Sequence, residues 1–124
     1  MKTVNQNFIV MDKIAGQIAG FGIPGLVLIV AMAATGFAGA AALTTALAAL
    51  GGPFGMLGGI ALLGVLMLIS KAIAEYGFEA IFKAVLNELY KKGKTKDEIL
   101  NTITGYPISS DLKRSLNEYI VKWG

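Results

Sequence analysis

From Ile14 to Ser70 no residue carries a charge, with Lys13 at one edge of the run and Lys71 at the other. Ahead of it, Phe8, Met11, Ile14 or Ala15, and Ile18 recur at helical spacing, while Asn7, Asp12, Lys13 and Gln17 fall elsewhere. This predicts a short amphipathic helix up to Gly20, either lying in a headgroup plane or packed on the rest of the chain. Gly20-Phe21-Gly22-Ile23-Pro24-Gly25 then breaks the pattern. A first long apolar helix is expected from about Pro24 or Leu26 to Leu50. At 1.5 Å per residue it would measure roughly 37 Å, more than the 30 Å of a hydrocarbon core. Gly51-Gly52-Pro53-Phe54-Gly55 supplies a turn, and a second helix is expected from about 54 to 92, leaving the apolar zone near Lys71.

Beyond Lys71 the pattern becomes amphipathic. Ala74, Phe78, Ile81, Phe82, Val85, Leu86 and Leu89 form one stripe, with Glu79/Lys83 and Glu88/Lys92 at supportive i,i+4 spacing. Gly93 ends this helix, and Thr95 to Glu98 forms a capping box that opens another, with Ile99, Leu100 and Ile103 inward. Gly105-Tyr106-Pro107 stops it. Ser109 or Ser110 caps a last helix striped by Leu112, Leu116, Tyr119 or Ile120, and Trp123.

Composition decides what the uncharged run is for. The chain has 124 residues, 55% hydrophobic and 15% charged, where soluble domains carry about 25% charge. A small domain leaves much of its surface wet, so the run reads as a lipid hairpin; a hairpin buried inside a bundle is the alternative. The expected fold is an all-α membrane protein: a glycine- and alanine-rich two-helix transmembrane hairpin, an N-terminal amphipathic helix and a small C-terminal helical cap. The boundaries are 1–20 for the interfacial segment, 21–70 for the hairpin with its turn at 51–55, and 71–124 for the cap. All eleven Lys and Arg lie outside the hairpin, so the positive-inside rule predicts a multi-pass membrane protein with both termini cytoplasmic. Lys71, Tyr76 and Phe78 are the expected interface anchors. A hairpin that dips into the bilayer without crossing is the topological alternative. The apolar run is too long, and begins too late, for a cleaved signal, and is expected to be retained.

Candidate chemistry is sparse. The chain has no cysteine and no histidine, which removes thiolate chemistry, the usual general base and the commonest zinc ligands. The G-x-G-x-x-G at 20–25 lacks both a preceding strand and an acidic residue about 20 positions on, so it is no dinucleotide site. Gly93-Lys94-Thr95 has Glu88 where a P-loop needs glycine. Asp97 and Glu98 are explained by the helix dipole. No acid lies within the apolar run, which excludes an intramembrane proton path. The last two helices balance their charges, so nucleic acid is not an expected partner. Neither an enzyme nor a cofactor is expected.

The small residues carry more information. Gly51, Gly55 and Gly59 are spaced by four, and Gly36, Gly39 and Ala40 belong to further small-xxx-small rows. In lipid such rows let helix backbones approach closely, which is the main attraction available there. These six residues are the expected packing and oligomerisation positions, with Gly51, Gly52 and Pro53 forming the hairpin turn. The layout of interfacial helix, glycine-rich hairpin and basic tail resembles small two-span holins and pore-forming effectors. The resemblance implies a homo-oligomer that permeabilises the lipid bilayer. The alternative is a non-enzymatic, membrane-anchored adaptor whose cap, 71–124, docks a cytoplasmic protein partner through Tyr106, Tyr119 or Trp123.

Overall fold

The chain forms helices α1 (Lys2–Ala19), α2 (Ile23–Thr35), α3 (Ile60–Tyr76), α4 (Phe78–Lys91), α5 (Lys96–Thr104) and α6 (Ser110–Trp123). The structure, a computed structural model, describes residues 2–35, 60–106 and 108–123, with side-chain surroundings for 10–33 and from 64 onward. The only regular structure among the described residues is helical, without a strand. None of their helices is, by itself, long and apolar enough to cross a membrane.

The helix ends follow from local chemistry. At the end of α4, the Gly93 N–H donates to the Tyr90 carbonyl (3.0 Å) and the Lys94 N–H to that of Leu89 (3.1 Å). Those two bonds make a Schellman motif. Thr95 then accepts from the Glu98 N–H at 3.1 Å and starts α5, as its capping box predicts. Ser109, rather than Ser110, caps α6 by accepting from the Leu112 N–H at 3.2 Å.

One boundary differs from the expected continuous helix over 54–92. Gly77, with φ 91° and ψ 152°, separates α3 from α4. That conformation is essentially reserved for glycine. An amphipathic stripe running through residue 77 gave no hint of it, because a lone glycine inside a helical pattern is usually tolerated.

Among the described residues the core is organised around α2, which contacts each of the other five helices. Leu26, Val27 and Ile29 are fully buried, and Leu28, Val30, Ala31 and Met32 are 4% exposed or less. Within the chain the bulky half of the expected first apolar helix is covered by protein. Helix α1 offers Ala15, Ile18 and Ala19 inward and leaves Asp12, Lys13 and Gln17 in solvent. Of its two alternatives, packing on the chain is the one observed, chiefly against α4. The cap helices supply Ile81, Phe82, Val85, Leu86 and Leu89 from α4, Ile99 and Ile103 from α5, and Leu112, Leu116 and Ile120 from α6. Burial of each such aliphatic side chain is worth about 1.5–3 kcal/mol.

Candidate functional site

A helix apolar on every side must be enclosed by protein or by lipid. In α2 the enclosure is protein, and the feature that sets its direction is the corner joining it to α1. Between Val10–Ala19 and Ile23–Ala33 the chain bends by 110°. Gly22, at φ 77°, takes the left-handed backbone conformation that makes this bend possible. Gly25 lets the two helices touch: a Cβ there would lie 2.6 Å from the Ile18 carbonyl oxygen.

The end of α4 holds this corner. Lys92 Nζ donates to the Ala19 carbonyl at 3.2 Å, placing a cation on the last turn of α1, where the helix dipole favours it. One turn back, Gly16 faces the Glu88 carboxylate. Glu88 pairs with Lys91 at 3.0 Å rather than with the expected Lys92, because Lys92 is engaged on α1. That bond and the Glu88 charge push the Lys91 ammonium above its ordinary range. The expected Glu79–Lys83 pair forms, at 2.9 Å.

Toward the start of α4, Phe78 and Phe82 form an aromatic cluster with Tyr119 and Trp123 of α6. Tyr119 and Trp123 stack at 5.1 Å with 13° between their planes, and Phe82 meets Trp123 edge-on at 5.5 Å. Lys83 and Lys122 each place Nζ 5.4 Å from the indole ring. Trp123 therefore packs within the cap. Beside it an open groove of about 460 Å³ runs between α1 and α4, lined by Met11, Asp12, Ala80, Lys83, Asn87 and Tyr90 among others. The Tyr90 hydroxyl is buried and hydrogen-bonded to nothing among the described residues; desolvation pushes its pKa up. Burial does the same to Tyr106.

Of the expected anchors, Lys71 is exposed on α3, Tyr76 is half-buried against the core, and Phe78 is half-buried in the aromatic cluster. Gly36, Gly39, Ala40, Gly51, Gly55 and Gly59, and the turn at Gly51, Gly52 and Pro53, lie outside the described residues. Sequence reasoning missed Lys92 and Tyr90. Both belong to an ordinary amphipathic segment outside its apolar stripe, and only the long-range docking of α1 gives them roles. Among the described residues no three acidic side chains gather as a metal site. Compared with protein-family models, curated proteins and solved structures, the chain matches none.

Proposed function

We propose that this protein is a membrane-permeabilising, self-associating helical protein that carries its apolar segment inside a sheath of amphipathic helices and releases it into a lipid bilayer. The observation that supports the reading is α2: an uncharged helix with no polar face, buried from Ile23 to Met32, with Leu26 to Met32 at 4% exposure or less. All five of the other described helices contact it. Lipid tails are as apolar as the side chains that cover it, so bilayer and sheath are comparable environments. The uncharged sequence continues to Ser70, and its small residues Gly36, Gly39, Ala40, Gly51, Gly55 and Gly59 are the assembly positions. Both termini stay on the cytoplasmic side, and the partners are lipid and further copies of the chain.

Release of a trapped dye from lipid vesicles tests this reading. Wild type releases the dye, and Gly55→Leu with Gly59→Leu abolishes release while leaving vesicle binding intact. A protein that stays monomeric in detergent and leaves vesicles sealed contradicts it. A second reading, an adaptor whose 71–124 region docks a protein partner, is favoured by the open groove along α4, which Ala84 also lines. It predicts sealed vesicles and a partner that is lost when Ala84→Arg fills the groove.

A further inference from the structure

Among the described residues, no single helix has the length and apolarity of a membrane span, yet Val10–Ala19 and Ile23–Ala33 have both when taken together. The obstacle is the 110° bend between them. We propose that the Gly20–Gly22 corner is a hinge, whose opening joins the second half of α1 to α2 as one membrane-crossing helix from Ile14 to Ala33. This rests on the membrane-permeabilising reading and names the element that crosses the bilayer and the joint that controls it.

The dimensions fit. Ile14 to Ala33 contains no charged residue, and at 1.5 Å per residue these positions span about 30 Å, the thickness of the hydrocarbon core. Asp12 and Lys13, exposed on α1, then fall just outside that zone, where charged groups belong. Gln17 is the one amide within the span.

The corner itself is built of residues that accept either geometry. Gly22 at φ 77° reaches ordinary helical angles as readily, because it lacks a Cβ. The corner is closed by four local bonds, Gly20 N–H to the carbonyls of Gly16 and Gln17, Phe21 N–H to that of Ile18 and Gly22 N–H to that of Ala19, all along the chain. The first already has helical i,i+4 spacing, and the others pass to i,i+4 partners as the helix extends. Pro24 now occupies the first turn of α2, where its missing N–H leaves no gap. In the extended helix it produces a kink, of the kind membrane helices accommodate. What holds the corner shut from outside is the end of α4, through Lys92 on the Ala19 carbonyl.

The chain has no cysteine, so spin labels can be attached at Val10→Cys and Ala33→Cys, both exposed positions. In the bent state the two helix axes end about 17 Å apart, from leg lengths at 1.5 Å per residue and the observed angle. Extension with a proline kink moves them to about 30–35 Å. Pulsed electron spin resonance on the full chain, in buffer and with vesicles of phosphatidylcholine and phosphatidylglycerol, reads that shift, and dye release is followed in the same samples. The expected result is a short distance in buffer and a long one with vesicles. Gly22→Ala, strained only in the bent form, increases the long-distance fraction at least several-fold. A distance that stays short while dye is released overturns the hinge and leaves permeabilisation standing. A short distance without release overturns both.

Discussion

Ile29 distinguishes a sheathed helix from one solvated by lipid. It is fully buried on α2, and Ile29→Ala removes three carbons from a site packed on all sides. The transfer contribution is about 0.8 kcal/mol per methylene, hence roughly 2.4 kcal/mol. The unfilled cavity adds to it, giving about 3 kcal/mol within the 2–5 kcal/mol seen for such truncations. A helix face against lipid would lose much less, because fluid tails close over the missing atoms. The single tryptophan, stacked on Tyr119 within the cap, reports unfolding by its emission. With a urea slope of about 1–3 kcal/mol per molar, the midpoint should fall by about 1–3 M in detergent-free buffer. Met67→Ala, at a side chain 73% exposed on α3, is the control and should shift stability by under about 0.5 kcal/mol. Equal effects of the two substitutions would refute the sheath.

Further substitutions probe individual contacts. Tyr90→Phe removes a buried hydroxyl without a partner among the described residues and should stabilise by about 1 kcal/mol in the same urea titration. Gly77→Ala places a side chain at φ 91°; with open space around it, the expected loss of about 1–3 kcal/mol is conformational, and a smaller loss would mean that α3 and α4 fuse. Lys92→Met strips the ammonium from the Ala19 carbonyl and should cost about 1 kcal/mol, with faster amide exchange at the end of α1. Tyr90 and Tyr106 both have pKa values raised above the ordinary 10.0 in the folded state. The unfolded chain therefore loses these protons first, and stability, complete below pH 10, should fall as pH rises past it. Tyr90→Phe with Tyr106→Phe should flatten that alkaline decline.

The helical stops in the C-terminal half were legible because they are local. Thr95, Ser109 and Gly93 act on donors and acceptors within four residues of themselves, and the stripes from Ile81 to Leu89 and from Leu112 to Ile120 need only the helical period. The Gly20–Gly25 break was legible for the same reason. The surroundings of α2 were not. Hydropathy records that Leu26 to Met32 avoid water, and a protein sheath satisfies that demand as well as lipid does. Which one covers them depends on contacts with residues from Val65 to Ile120, far away in sequence. Lys92 shows the same limit. Its spacing to Glu88 predicts an ion pair, but the α1 carbonyl competes for the ammonium only once α1 has docked.

The proposed movement of α2 from sheath to bilayer is tested most directly by one tryptophan placed at the corner. In a Trp123→Phe chain carrying Phe21→Trp, the new indole sits at a half-buried position near the middle of Ile14–Ala33. Its emission is measured with vesicles of lipids brominated either near the headgroup or deep in the acyl chain. A helix that has left its sheath brings this indole to the bilayer centre, so deep bromines should quench it strongly and shallow ones weakly. Emission unchanged by vesicles of either kind would show that α2 stays within the protein, and would contradict the account.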